Sequence, residues 1–254
     1  WKRIDTAMMG DRLRCLALVA LLVGMVALCG CTRAVNRTAE RKIRDVLPDV
    51  LGPARQYRAH IAGSAERTVA GKLAAVTIDG DDVQLPNGLL VDQIHLELKG
   101  IDLDTKAQRV RSVREARFTA TVGENSLNEF LAGEAPEGET IQKLRLTLNP
   151  GKVTLSAERV VLGLGVPFSF TGPLRLLPPR RIELDPTRFV VVGIPITGKP
   201  LLFLKERFEN SLDLSVLPFP VELTSVTTTQ GKVTLSGTAD VAALLRQAQE
   251  SRPK

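Results

Sequence analysis

Few side chains in this sequence could carry out chemistry, and they do not converge on a reaction. There are two histidines, His60 and His95. His95 alternates with Ile94 and Leu96, which puts it on the wet face of a strand rather than in the role of a base. The chain has no Gly-x-Ser-x-Gly elbow, His-Glu-x-x-His pair, Walker loop or dinucleotide fingerprint. Gly163-Leu164-Gly165 faintly echoes a glycine-rich loop, but Pro167 and an alternating strand follow it instead of a helix. The run Asp79-Gly80-Asp81-Asp82 could start a calcium loop, yet Leu90 stands where the twelfth-position glutamate is needed. A hairpin turn rich in Asp and Gly is the better reading. No catalytic residue, cofactor or metal site is expected.

The remaining reactive group is a thiol. All three cysteines, Cys15, Cys29 and Cys31, lie near the N-terminus, so the rest of the chain has no disulfide and no cysteine ligand. Trp1–Ala7 precede Met8 and Met9 and read as upstream residue. From Met8 the order is basic (Arg12, Arg14), then an uncharged apolar run Cys15–Leu28, then small residues, as in a secretory leader. That run of 14 residues is short of the roughly 20 that span a bilayer. Leu28-Cys29-Gly30-Cys31 resembles the lipobox of bacterial lipoproteins, although Cys29 stands where smaller residues are commoner. The resemblance implies cleavage before Cys31 and a lipid on its sulfur, which would hold the protein at a membrane outside the cytoplasm. An uncleaved anchor or plain secretion is the alternative.

The leader holds Lys2, Arg3, Arg12 and Arg14 against Asp5 and Asp11. Of the 34 basic and 28 acidic residues, 30 and 26 remain beyond it. So mild and scattered a charge excludes a nucleic-acid binder, which needs a basic stripe. The 224 residues after position 30 are enough for one generous domain, placed at 35–250 behind a spacer at 31–34.

The hydrophobic pattern sets the architecture. Val35, Ala39, Ile43, Val46 or Leu47, and Val50 recur at helical steps, with Arg37, Glu40, Arg41 and Arg44 on the other face, until Pro48 and Gly52-Pro53. Residues 54–70 read as a weaker continuation of helix. From Lys72 the period is two: Val76/Ile78, Ile94/Leu96/Leu98, Phe118/Ala120/Val122 and Leu144/Leu146/Leu148 alternate with polar residues, the habit of antiparallel sheets. Asn149-Pro150-Gly151 turns one strand into the next. Ser126-x-x-Glu129 is a candidate capping box, Pro200 opens a helix with Leu201, Leu204, Phe208 and Leu212, and 239–250 closes the chain as a loose helix. Gly-Lys-Val-Thr-Leu-Ser occurs at 151–156 and again at 231–236, either by coincidence or as a duplicated sheet unit. The fold class is α+β: a long, curved, mostly antiparallel sheet packed with one long N-terminal helix and short helices.

Apolar residues exceed what such a sheet needs. Leu162–Phe170 and Phe189–Ile196 are apolar on both faces and call for cover on both sides. Phe168, Phe170, Phe189, Phe203, Phe208 and Phe219 gather in the C-terminal half. They could be ordinary core, or they could line an apolar groove that takes acyl chains.

The block Leu217-Pro218-Phe219-Pro220-Val221-x-Leu223-x-Ser225-Val226, followed by Gly231-x-Val233-x-Leu235-x-Gly237, resembles the C-terminal signature of the LmeA-like phospholipid-binding family. Val76-x-Ile78, Gly88-Leu89-Leu90, Ile94-x-Leu96 and Ala120-x-Val122-x-x-x-Ser126-Leu127-Asn128-x-x-Leu131 fit it in order. The resemblance covers about residues 35–240. It implies an exported protein similar in fold to tubular lipid-binding proteins, with phospholipid in a groove between sheet and helix and no catalytic residues. The lipobox departs from the family pattern.

The combined expectation is a membrane-tethered lipoprotein of the cell envelope that binds or shuttles a phospholipid or related amphiphile. The six phenylalanines would serve as the groove and Cys31 as the anchor. One alternative is a structural or interaction lipoprotein without ligand. Another is an envelope enzyme acting on lipid or glycan through carboxylates such as Asp102, Asp104 or Glu183.

Overall fold

The computed structural model describes residues 32–85, 87–104, 109–134, 141–177, 181–196 and 221–239. Cys31, Phe203, Phe208 and Phe219, the helix expected after Pro200 and the closing helix beyond Ala239 lie outside the described residues.

Alternation turns into strands wherever a neighbour shares it. Strands β1 (Ala54–Ala62), β2 (Lys72–Gln84), β3 (Leu90–Asp104) and β4 (Arg109–Gly123) form an antiparallel meander. The last hairpin, β12 (Val221–Thr229) and β13 (Lys232–Ala239), pairs onto β4 and completes a six-stranded sheet. The register keeps apolar positions in line: Ile78 faces Leu96, Leu96 faces Phe118, and Phe118 faces Gly237. The opposite face is polar, with cross-strand contacts Thr119–Ser236 at 3.3 Å and Thr121–Thr234 at 3.2 Å.

A second, five-stranded sheet comprises β5 (Ile141–Asn149), β6 (Lys152–Val161), β7 (Leu164–Gly172), β10 (Arg188–Val191) and β11 (Ile194–Ile196). A small third sheet pairs β8 (Leu174–Leu177) with β9 (Arg181–Leu184). The architecture is thus mostly antiparallel β in open sheets with few helices. Three sheets stand in place of the single long one expected, because which strands join is settled by long-range pairing that local period does not report.

Helix α1 (Thr32–Leu51) lays Ile43, Leu47 and Leu51 onto the six-stranded sheet. Glu40 accepts the amide of Ile61 on β1 at 2.9 Å. The helix continues past Pro48 and stops at Gly52, whose φ is +112°. A Cβ at Gly52 would collide with the Gln84 carbonyl, so the chain can exit only through glycine.

Residues 54–62 are strand, not the helical continuation expected. Tyr57, Ala59 and Ile61 alternate with Arg58 and His60, and they pair with Gly80, Ile78 and Val76. Only the short α2 (Ala65–Val69) is helical in that segment. Asp79–Asp82 lies inside β2, not in a turn. Its carboxylates meet His95 (2.7 Å), Arg58 (3.0 Å) and Arg55 (2.9 Å). Gly80 is required there by the ring of Tyr57, which a Cβ would approach to 2.8 Å.

Helix α3 (Glu124–Glu134) starts before the expected capping box, so Ser126 sits within its first turn. The amide of its first residue, Glu124, donates to the Gly231 carbonyl at 2.9 Å, while Asp92 of β3 accepts the amide of Gly123 and the hydroxyl of Ser126, each at 3.1 Å. From α3, Asn128 and Glu124 reach the outer edge of β5. The Leu146 amide donates to Asn128 Oδ1 (2.7 Å), Asn128 Nδ2 donates back to the Leu146 carbonyl (2.8 Å), and the Leu148 amide donates to Glu124 (2.7 Å). These side chains cover a strand edge that would otherwise be open to another chain.

Candidate functional site

The five-stranded sheet has one polar and one apolar face. Cross-strand register puts Leu146 and Leu148 of β5 beside Leu155 and Val153 of β6. Leu155 and Ala157 in turn face Phe170 and Phe168 of β7. Phe170 and Phe168 face Phe189 and Val191 of β10, and these face Ile196 and Ile194 of β11. Thr154, Ser156, Ser169 and Thr171 occupy the other face, where the hydroxyls of Thr154 and Thr171 meet at 3.0 Å.

Three phenylalanines make a cluster on the apolar face. Phe170 and Phe189 stack with centroids 4.4 Å apart, and Phe168 meets each edge-on, at 5.7 and 6.5 Å. Phe170 is 2% exposed, whereas Phe168 and Phe189 are half-buried. Burial therefore declines along the face. Leu148 and Val153 belong to the core shared with α1 and the six-stranded sheet, Phe168 is half open, and Leu164 and Ile194 at the far end are in solvent.

Across the sheet from the phenylalanine rings is an open cleft of about 270 Å³, whose lining by Ser156, Glu158, Pro167, Ser169 and Val190 puts it on the face of Thr154 and Thr171, with Lys143 at its side. Lys143 reaches it because β5 bulges between Gln142 and Arg145, with Lys143 at φ +54°. Its ammonium pairs with Glu158 at 3.0 Å. The cleft thus combines Pro167 and Val190 with the hydroxyl residues Ser156 and Ser169 and an ion pair at one side.

The six-stranded sheet has a comparable face. Leu96, Leu98, Ala120 and Leu235 sit on its inner strands yet are only half-buried, although positions in the middle of a sheet are usually the best covered. The small sheet caps one end of this face through Ile182, which packs with Phe118, Val221 and Leu223.

Of the sequence-derived candidates, Phe168, Phe170 and Phe189 are brought together; the other three phenylalanines and Cys31 are outside the described residues. The requirement that Leu162–Phe170 and Phe189–Ile196 be covered on both sides does not hold. Leu162-Gly163 and Val192-Gly193 are hairpin turns, so each run includes a tip exposed to solvent. The missed signal was a large apolar residue followed by glycine between two strands.

The alternative carboxylates do not converge. Asp104 is taken by Arg111 at 3.0 Å, holding that guanidinium's pKa above its ordinary value through a hydrogen bond and charge, and Asp102 adds to the same field. Glu183 is on the two-stranded sheet opposite Arg175. Among the described residues, no group of three or more His, Cys, Asp or Glu side chains is placed to hold a metal. No helix among them is long and apolar enough to cross a membrane.

Comparison with known proteins agrees with the resemblance read from the sequence. The LmeA-like phospholipid-binding family matches residues 30–238. No curated protein and no solved structure matches the chain. The match covers most of the sequence, and the chain belongs to the LmeA-like phospholipid-binding family.

Proposed function

We propose that this chain is an exported lipoprotein, acylated on Cys31, that takes up the acyl chains of a phospholipid or related amphiphile on its apolar sheet faces and carries them in the cell envelope. The observation that carries the reading is the half-buried Phe168–Phe189 pair on the apolar sheet face, in a chain whose family binds phospholipid. A core position gains by being covered completely; these rings keep surface available for a ligand. Covering that surface with lipid yields ~25 cal/mol per Å² removed from water. The half-buried centre of the six-stranded sheet supports the same use of apolar surface and would form the second wall of a curved groove. Cys31 supplies the tether: two acyl chains, at ~0.8 kcal/mol per buried CH₂, anchor a protein stably where one does not. Chemistry on the ligand is not part of the proposal.

Transfer of a fluorescent phospholipid between donor and acceptor vesicles tests this. The protein should accelerate transfer, and Phe168→Asp with Phe189→Asp should abolish the acceleration while the fold persists. Transfer at the uncatalysed rate, together with no phospholipid bound, would leave a structural lipoprotein as the better account.

A further inference from the structure

Two hairpin tips carry a backbone cost that internal packing does not repay. Between β6 and β7, Leu162 has φ +52° and is 98% exposed, and the neighbouring Leu164 is 72% exposed. Between β10 and β11, Val192 has φ +51° and is 60% exposed, and Ile194 is 64% exposed. Gly163 (φ +79°) and Gly193 (φ +78°) complete the turns. Positive φ at both central residues is the type I′ hairpin, which strongly prefers Asn-Gly or Asp-Gly. A branched apolar residue at the first position is strained, β-branched valine most of all. At Pro150-Gly151 and Gln230-Gly231, by contrast, only the glycine has positive φ. Among the described residues, the strained apolar choice is thus confined to one end of one sheet.

The two tips are neighbours. Strand β10 runs antiparallel to β7, and the Val192 amide donates to the Pro167 carbonyl at 2.9 Å. Val160–Pro167 and Phe189–Ile196 contain no charge, and exposed Arg159 and Arg188 stand directly before these two runs. Gly193 and Pro167 also line the cleft.

We propose that these tips are a bilayer-docking surface. Leu162, Leu164, Val192 and Ile194 enter the apolar margin of a phospholipid bilayer, and Arg159 and Arg188 meet the phosphate layer. The pattern selects this occupant: each tip is an uncharged run with exposed apolar side chains and an exposed arginine directly before it. An apolar end with a cationic base matches the order of a membrane surface, hydrocarbon beneath anionic headgroups. Docking brings the open end of the apolar face, with Leu164 and Ile194 beyond Phe168, to the bilayer, giving lipid a short path onto that face. That path rests on the lipid-carrying reading above; docking does not.

The test uses the full chain in phosphatidylcholine–phosphatidylglycerol vesicles whose acyl chains carry bromine, a contact quencher. Trp1 is the only tryptophan, so Trp1→Phe gives a silent background for one probe at a time. Leu162→Trp and Val192→Trp should each emit at shorter wavelength and lose most of their emission to brominated lipid. Gln230→Trp, in a turn away from the tips, should do neither. Emission at both tips that ignores brominated lipid overturns the proposal, and a blue shift without quenching assigns the tips to a protein contact instead. Native mass spectrometry separates the two readings. If Leu162→Asp with Val192→Asp releases the tips yet retains phospholipid, docking and carriage are distinct properties. Quenched tips on a chain that never holds phospholipid would sink carriage alone.

Discussion

The amide of Gly151 donates to the carbonyl of Thr228 at 3.1 Å, and the amide of Gly231 returns the same bond to Leu148 at 3.0 Å. Gly151 and Gly231 each open a copy of Gly-Lys-Val-Thr-Leu-Ser, and Leu148 and Thr228 are the matching residues of the strands before them. The repeated hairpins β5–β6 and β12–β13 therefore meet turn to turn through a reciprocal pair of bonds, the self-complementary pattern of a two-fold contact. This contact joins the two large sheets, which supports a duplicated unit over coincidence.

Both glycines have φ +70°, where a Cβ costs about 1–2 kcal/mol. Gly151→Ala and Gly231→Ala should each lower stability by that amount in urea titration. Because the residues share one contact, the double variant should lose a different amount from the sum of the singles, and strict additivity would deny the reciprocal tie.

Tyr57 is the only tyrosine, so its titration can be read directly from phenolate absorbance. It is buried, donates to the Gly52 carbonyl at 2.8 Å, and has its pKa pushed by burial from 10.0 to about 12. Its contribution is fully present below pH 10. As pH rises toward 12 the unfolded chain gives up the proton while the folded chain keeps it, so stability falls, by about 3 kcal/mol in all. Tyr57→Phe should remove this part of the alkaline loss and cost about 1 kcal/mol at neutral pH through the lost bond. A phenol that ionises near its ordinary value in the folded protein would contradict the burial.

Asn128 stands in for a neighbouring strand at the edge of β5. Asn128→Ala leaves the Leu146 amide and carbonyl without partners, at about 1–3 kcal/mol for each group that stays dry. Hydrogen exchange at the Leu146 amide should quicken accordingly. Asn128→Asp keeps the acceptor and should protect that amide better than alanine does.

The phenylalanine cluster should separate folding from binding. Phe170→Ala removes a fully buried, stacked ring and should cost about 3–5 kcal/mol of stability. Half-buried Phe168 should cost clearly less when truncated, while reducing the phospholipid bound. Equal stability losses at the two positions would make Phe168 ordinary core.

Local signals were legible and long-range ones were not. Alternation at Val76–Ile78 and Leu144–Leu148 marks strands because one face is buried, and Asn149-Pro150-Gly151 marks its turn. Tyr57, Ala59 and Ile61 alternate as well, but beside the helix that ends at Leu51 the segment passed for its continuation. Ser126-x-x-Glu129 has the form of a cap, yet the helix starts at Glu124, whose amide goes to the distant Gly231 carbonyl, and the Ser126 hydroxyl goes to Asp92. The division into three sheets depends on β13 finding β4, a pairing that no local window contains. Of the candidate site, the Phe168–Phe170–Phe189 cluster could be expected from composition. The exposed tips could not, since Leu162 and Val192 look like strand interior until the glycine after each is read as a turn.

The most direct test of the central claim is native mass spectrometry of residues 32–254, exported and purified without detergent. The account predicts about one phospholipid per chain, lost on Phe168→Asp with Phe189→Asp while circular dichroism stays that of a folded sheet protein. A folded chain that remains lipid-free even after incubation with liposomes would contradict it.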